Sequence, residues 1–265
     1  MSEVNIKEEL ALQANAVQQP DQDVKLTKNM TIPDMVKAMA PEIRKALPSV
    51  LTPERFTRIA LSALNNTPQL QNCTPMSFIA ALLNAAQLGL EPNTPLGQAY
   101  LIPYKNKGVL ECQFQIGYKG LIDLAYRNGQ MQTIQAQAVY ENDTFQYEYG
   151  LEPQLVHRPA SSDRGELVYF YGIFRTVNGG YGFSVMSRAD MDIYAKTYSK
   201  AFDSGYSPWK TSYEEMAKKT VIKQALKYAP IKTDFQRALS TDETIKKQIS
   251  DDMFLVQNEV ITPAA

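Results

Sequence analysis

The sequence has one histidine and two cysteines, which leaves little room for histidine-based metal or catalytic sites or for cysteine-based sites. With His157 alone, a histidine-based zinc site is excluded, and a Ser-His-Asp triad would depend on a residue that no nucleophile motif accompanies. His157 is therefore expected on the surface or in a strand. Cys73 and Cys112 form no CxxC pair, so two reduced cysteines in the core are expected.

Long apolar runs are lacking as well. The stretch that begins at Phe78 is interrupted by polar residues well short of a membrane span. The first ten residues are acidic and do not have the basic-then-apolar order of a signal peptide. We expect a cytoplasmic protein with no membrane partner.

Positive charge is concentrated in one segment. Residues 196–237 contain nine Lys or Arg against four Asp or Glu, although the whole chain of 265 residues has a net charge of −1. A helix from about Ser207 to before Pro230 would place Lys219, Lys223 and Lys227 on one stripe, because residues four apart share a face. Lysines beside aromatic rings suit single-stranded nucleic acid, whereas a solvated helix face with aromatic residues in the core is the plainer alternative.

Helices and hairpins are predicted from caps, prolines and periodicity. The predicted helices span about 33–47, 53–65, 75–88, 118–128, 188–202 and 207–230, with a shorter one through 235 and 239. The predicted strands span 98–104, 109–117, 131–140, 143–149, 167–177 and 181–186. Residues 153–165 are predicted to form a loop.

The composition of the two ends predicts three regions. Residues 1–30 are polar and acidic and are predicted to form a flexible arm. Residues 31–240 form the folded domain. Residues 241–265 are predicted to form a flexible acidic tail, which could mask a basic site or only aid solubility.

The first predicted hairpin has a basic tip, Lys105-Asn106-Lys107-Gly108. On its second strand Gln113 and Gln115 point to the face opposite Phe114, so two amides are expected on an open face. The tip could bind phosphate, or it could be no more than a soluble turn.

Three blocks resemble the RecT family of phage and prophage single-strand annealing proteins. They are LGLEPNTPLGQAYLIPYKN from Leu88, CQFQIGYKGLIDLAYRNG from Cys112 and SPWKTSYEEMAKKTVIKQALKYAP from Ser207. The resemblance covers about residues 30–235. It implies an α+β fold of N-terminal helices and an antiparallel sheet built from hairpins, similar to Redβ and distantly to Rad52-like annealing proteins.

The resemblance also implies an activity. It implies ATP-independent binding of single-stranded DNA and annealing of complementary strands in homologous recombination, on a homo-oligomer that forms rings or helical filaments. The implied partners are the single strand, the annealed duplex intermediate, a phage exonuclease and the host single-strand binding protein. The sequence has no GxxxxGK[ST] phosphate loop, which disfavours an ATP-driven recombinase. No cofactor and no metal site are expected, although a divalent cation could influence annealing.

On this basis we predict no catalytic residue and sixteen DNA-binding residues. The predicted phosphate contacts are Lys105, Lys107, Lys119, Arg127, Lys196, Lys200, Lys210, Lys218, Lys219, Lys223 and Lys227. The predicted sugar or base contacts are Gln113, Gln115, Tyr198, Tyr206 and Trp209. Lys218 and Lys219 point about 100° apart on a helix, so one of them could serve a subunit contact instead. Tyr118, Tyr126 and the aromatic residues from Phe145 to Tyr149 are interpreted as core or subunit interface.

Two other functions compete with annealing. A metal-dependent nuclease of the same phage system would need converging carboxylates, and the one DxD, Asp190-Met191-Asp192, lies at a helix start where acids are favoured anyway. A membrane- or partner-binding protein could use the basic helix as an amphipathic anchor, but the tyrosine-rich hairpins have no role in that reading.

Overall fold

The first third of the described chain is helical. The computed structural model describes residues 30–49, 51–199, 202, 207–230 and 233–259. Its first helices are α1 (Ile32–Ala38), α2 (Ala40–Ala46), α3 (Pro53–Asn66), a 3-10 helix (Pro68–Asn72) and α4 (Pro75–Leu88). The hydroxyls of Thr31 and Thr52 accept backbone N–H bonds at the starts of α1 and α3, which satisfies amides that have no partner within the helix. The bounds predicted for α3 and α4 are confirmed to within one residue.

The helix predicted over residues 33–47 is divided into α1 and α2. The break falls at Met39, and Pro41 lies in the first turn of α2. Pro41 has no N–H to donate, so a continuous helix would lose a hydrogen bond there, whereas the first turn of a new helix loses none.

All strands pair antiparallel, in three sheets. The strands are β1 (Ala99–Asn106), β2 (Val109–Ile116), β3 (Met131–Tyr140), β4 (Thr144–Glu148), β5 (Gln154–Arg158), β6 (Leu167–Thr176) and β7 (Tyr181–Ser187). β1 pairs with β2, β4 pairs with β5, and the third sheet has the order β3-β6-β7. Helix α5 (Tyr118–Tyr126) connects the first hairpin to β3.

Strand β5 occupies part of the segment that was predicted as a loop, so that prediction is wrong. Tyr147 of β4 lies opposite Leu155 of β5. Leu155 and His157 are less exposed than their neighbours along β5, which is the alternation of a strand with one covered face.

Helices complete the chain after the sheet. They are α6 (Arg188–Tyr198), α7 (Pro208–Thr211), α8 (Tyr213–Ala225), a 3-10 helix (Leu226–Tyr228) and α9 (Thr233–Thr241). The Ser187 hydroxyl accepts the Asp190 N–H and caps the start of α6. The single helix predicted over 207–230 is divided at Ser212, whose φ of −146° and ψ of 51° are not helical.

One part of the core lies between the three-stranded sheet and α8. Phe170, Met191, Trp209 and Val221 belong to one buried cluster there. A Cβ added to Gly172 of β6 would lie 2.7 Å from the carbonyl oxygen of Val221, so α8 approaches β6 more closely than a side chain would allow. The position of α8 on the sheet is therefore fixed by backbone contact.

The predicted flexible tail is corrected over residues 241–259. Ile245, Lys246 and Met253 are buried, and Thr244 forms a β-bridge with Phe114 of β2. The Gln87 amide donates to the carbonyl oxygen of Asp251 at 2.7 Å, which holds the segment against α4. Residues 260–265 lie outside the described residues.

The predicted α+β class is confirmed. Residues 1–29, and with them nearly all of the predicted N-terminal arm, lie outside the described residues. Within the part of the chain that the structure describes, no helix combines the length and apolar character needed to cross a membrane.

Candidate nucleic-acid interface

The tip of the β1–β2 hairpin carries two exposed lysines. Asn106 pairs with Val109, so Lys107 and Gly108 form a two-residue loop with φ values of 48° and 83°. Two positive φ values are typical of the type I′ turn, which matches the twist of a hairpin. The buried Asn106 amide donates to Glu111 at 2.9 Å, so Asn106 supports the turn from inside while Lys105 and Lys107 face solvent.

The amides of β2 are not on an open face, contrary to the prediction. Gln113 donates to the carbonyl oxygen of Glu243 at 3.0 Å, and Gln115 is buried with its amide 3.4 Å from the sulfur of Met216. The face is covered by α8 and by the segment after α9, which the strand alternation could not reveal.

Helix α5 begins in close contact with the loop before β1. Added Cβ atoms at Gly117 and Gly120 would each lie 2.1 Å from a backbone oxygen, of Gly97 and Gln98 respectively. Only glycine permits this approach at the two positions. It fixes the start of α5 and leaves Lys119 exposed at the surface.

Arg127 has an internal role that the sequence did not indicate. Its guanidinium donates to the carbonyl oxygens of Leu88 and Gly89, at the end of α4, and contacts Asp123. These bonds satisfy carbonyls that a helix end leaves open. These three bonds leave the guanidinium fewer donors for a phosphate than the prediction assumed.

Two tyrosines, one on β1 and one at the start of α5, have raised pKa values. Burial raises the pKa of the Tyr100 and Tyr118 phenols, and the carboxylate of Glu215 on α8 adds to the shift. Both phenols are thus neutral at physiological pH and can donate a hydrogen bond.

Helices α6 and α8 border a pocket of about 180 Å³ that contains four of the predicted DNA-binding residues. Tyr198, Trp209, Lys219 and Lys223 line it, together with Tyr194. The rings of Tyr194 and Tyr198 are 4.5 Å apart, and Tyr198 is 68% exposed. Of the four predicted residues, Tyr198 belongs to α6, Trp209 to α7, and Lys219 and Lys223 to α8, so the pocket brings together residues from three helices.

The lysines of α8 do not form the open stripe that was predicted. Lys219 is only 3% exposed, and its ammonium lies 2.9 Å from Asp242 and 3.0 Å from Glu243. Lys223 is half-buried and lies 3.0 Å from Asp242. Lys227 alone of the three is exposed. The prediction missed that acids distant in the chain would meet these lysines.

The electrostatics of this group are those of a buried ion-pair network. Burial tends to raise the pKa of Asp242, but Lys219 and Lys223 outweigh that effect and lower it. Burial tends to lower the pKa of Lys223, and Asp242 and Glu243 outweigh that effect and raise it to about 12. Asp242 and Lys223 are therefore both charged at neutral pH.

The remaining predicted residues differ in their surroundings. Lys196 and Lys210 are exposed, and Lys218 is half-buried with its ammonium 2.6 Å from Glu214. Trp209 is 5% exposed within the core cluster, which corrects its prediction as a ring that stacks on bases. Lys200 and Tyr206 lie outside the described residues.

A buried polar network, which sequence reasoning missed, joins the β4–β5 hairpin to β6. His157 lies 3.0 Å from Asp143 through Nε2 and 3.1 Å from the Tyr171 hydroxyl through Nδ1. The pKa of Asp143 lies far below its usual range, chiefly because Arg164 donates hydrogen bonds to its carboxylate. Hydrogen bonds from backbone amides and from His157 add to the effect. Since ionised Asp143 only accepts, Nε2 of His157 carries a proton. The network orders the hairpin and uses no predicted DNA-binding residue.

Other expectations from the sequence concern cysteines and metals. Cys73 and Cys112 are buried and unpaired, as expected. Among the described residues, no group of three or more His, Cys, Asp or Glu side chains is arranged to hold a metal ion.

Comparison with known proteins decides the family. A model of the RecT family matches residues 54–254. Protein RecT of Escherichia coli (strain K12) is 42% identical over 210 residues, which cover 78% of this chain and 77% of that protein. The uncharacterized protein YqaK of Bacillus subtilis (strain 168) is 31% identical over 197 residues, which cover 74% of this chain and 66% of that protein.

The chain belongs to the RecT family. Family membership makes it a DNA-binding protein of recombination and single-strand annealing. The RecT-family match ends at residue 254, so it includes Asp242 and most of the segment that packs against α4.

The structure also explains two of the blocks by which the sequence resembles the RecT family. The block from Leu88 and the block from Cys112 meet at Gly97, Gly117 and Gly120, where backbone touches backbone. The third block forms α7 and α8, which pack on the three-stranded sheet.

Proposed function

We propose that this protein anneals complementary strands of DNA without ATP, as an oligomer whose basic surfaces contact the phosphates of one strand. The observation that supports this most is the pocket between α6 and α8, which the exposed Tyr198 and the half-buried Lys223 both line. Flat rings and ammonium groups side by side are what a single strand requires, since each nucleotide offers one base face and one negative charge.

The contacts in this proposal are independent of sequence. Lysine ammonium groups bind phosphate as point charges, and a tyrosine ring can stack on any base. Few hydrogen bonds to base edges are needed, so the pairing edges stay available to a complementary strand. Base pairing itself then supplies the free energy of annealing, and no nucleotide hydrolysis is required.

The exposed cations are the residues to which we assign phosphate contacts. They are Lys105, Lys107, Lys119, Lys196, Lys210 and Lys227, with half-buried Lys218 and Lys223 at the margin. Lys200 and Tyr206 remain predictions from sequence. Arg127, Gln113, Gln115 and Trp209 are not assigned a direct contact, because each is engaged by the fold.

The proposal extends to assembly, partners and place. We infer a homo-oligomer that forms a ring or a helical filament, a phage exonuclease that supplies the single strand, and contact with the host single-strand binding protein in the cytoplasm. Family membership supports oligomerisation and single-strand binding. The two named partners and the location are inferences from the phage context of the resemblance.

Mixing two complementary oligonucleotides with the protein, without nucleotide and with EDTA, tests the central claim. We expect duplex to form faster than in a protein-free control, and the same rate after addition of ATP. No acceleration without ATP would contradict the proposal. The nuclease alternative is tested in the same experiment with labelled strands and magnesium, since it requires loss of full-length strand.

A further inference from the structure

Asp242 and Glu243 both contact Lys219, but they differ in burial and in the number of hydrogen bonds that their carboxylates accept. The Asp242 carboxylate accepts from Lys219, from Lys223 and from the Ile116 backbone N–H at 2.8 Å, and its side chain is 1% exposed. Removal of Asp242 would leave two ammonium groups without their main partner. Asp242 is therefore a fixed part of the fold.

Glu243 is held much more loosely by its side chain. Among the described residues its carboxylate pairs with the Lys219 ammonium at 3.0 Å, and the side chain is 37% exposed. It can swing into solvent, where water replaces the lysine. When Glu243 swings out, the contact between Lys219 and Asp242 stays in place. Lys219 then keeps one of its two carboxylate partners.

The backbone keeps the Glu243 carboxylate at this position. Glu243 has a φ of 58°, which is a left-handed conformation. This conformation costs a residue other than glycine about 1–2 kcal/mol. Paired hydrogen bonds between Phe114 and Thr244, and the Gln113 amide on the Glu243 carbonyl, hold it there. Such a conformation persists only where the surroundings enforce it.

The same carboxylate borders the pocket between α6 and α8. Glu243, Lys219 and Lys223 form its charged side, and Tyr194 and Tyr198 form its aromatic side. With Glu243 in place, two lysines face two carboxylates and the charged side is balanced. Without it, one positive charge remains next to two rings.

We propose that the Glu243 carboxylate occupies the place of a strand phosphate at Lys219, and that a nucleotide of single-stranded DNA displaces it on entering the pocket. A carboxylate and a phosphate accept the same charge-assisted hydrogen bonds from an ammonium group, so the exchange keeps Lys219 paired. Glu243 thereby competes with DNA and weakens its binding. This inference rests on the proposed function.

The test compares binding of the full-length chain and its variants to an oligothymidylate at fixed salt, by filter retention. Glu243→Gln keeps the side-chain length and removes the charge, and Glu243→Asn also suits the left-handed backbone. Both should bind about two- to fivefold more tightly than wild type, which is the effect of losing one half-exposed ion pair. Glu148→Gln, which removes an exposed carboxylate on β4, is the matched control and should bind as wild type does.

The outcomes separate this inference from the proposed function. Wild type that binds the oligothymidylate with the same affinity as Glu243→Gln would overturn the competition by Glu243 and leave the proposed function intact. An equal gain in Glu148→Gln would overturn it too, because the effect would then be one of net charge. Absence of binding by wild type and by every variant at low salt would contradict both.

Discussion

The lysines of α8 and the lysines around the first hairpin have opposite surroundings. Lys219 and Lys223 point toward Asp242, whereas Lys105, Lys107 and Lys119 face solvent. The residue type is the same, and the difference arises from acids that lie about twenty residues further along the chain than α8. Local density of positive charge therefore identified the segment but did not show that acids would pair with two of its lysines.

The largest effect is expected at Asp242, because the contrast between the two groups of lysines depends on its carboxylate. Asp242→Asn removes the carboxylate that holds two ammonium groups, and loss of one partner of a buried pair destabilises by about 3–5 kcal/mol. Urea denaturation followed by circular dichroism measures the free energy of unfolding. Asp251→Asn, on an exposed side chain of the same segment, should stay within about 0.5 kcal/mol of wild type. Equal stability of the two variants would contradict the structural role of the α8 lysines.

The solvent-facing lysines should respond in binding rather than in stability. Replacing Lys105, Lys107 and Lys119 together by Ala should weaken oligothymidylate binding about tenfold or more at physiological salt, and should lower the slope of log K against log salt by about 2. The matched control replaces Lys37, Arg44 and Arg58, three exposed cations of α1 to α3. If both triple variants lose the same affinity, the hairpin surface is not the interface.

At acid pH the difference in the free energy of unfolding between wild type and Asp242→Asn should become smaller. Because the pKa of Asp242 is lowered in the folded state, its contribution to stability is present above the ordinary aspartate pKa and is lost as pH falls through the folded value. The stability gap between wild type and Asp242→Asn should be full at neutral pH and shrink below about pH 4. Asp143 titrates in both proteins and does not affect the gap. A gap of constant size down to about pH 3 would contradict the sign of this shift.

Lys227 should give the smallest effect and sharpen the contrast within α8 and its 3-10 extension. It is exposed at the end of the basic segment. Lys227→Ala should change the free energy of unfolding by less than about 0.5 kcal/mol. It should lower the salt slope by about 0.7, as the loss of one phosphate contact does. A large loss of stability would show that Lys227 belongs with Lys219 instead.

Elements with local signals were predictable from the sequence. Thr52-Pro53, Thr74-Pro75 and Gly89 bound α3 and α4 to within a residue, because caps and prolines act on adjacent backbone groups. The first hairpin was predictable for the same reason, since Lys107-Gly108 supplies the two positive φ values of its turn. The clustering of Tyr198, Lys219 and Lys223 followed from their shared segment.

Features that depend on distant partners were not predictable. The role of Arg127 depends on the end of α4, about forty residues earlier, and the burial of Trp209 depends on Phe170 of the sheet. The acidic composition after residue 240 suggested a solvated tail, because composition does not show that Asp242 meets two lysines. Strand β5 is five residues long and is flanked by Pro153 and Pro159, which favoured a loop in the sequence.

The burial of Trp209 gives the molecule a built-in optical probe. The chain has one tryptophan, and the indole lies against Tyr213 and Phe170 at the junction of α7, α8 and the sheet. Its intrinsic fluorescence should therefore shift when this junction opens. Because Trp209 also lines the pocket between α6 and α8, entry of a nucleotide there should change its emission too, whereas contacts at the hairpin lysines should leave the emission unchanged.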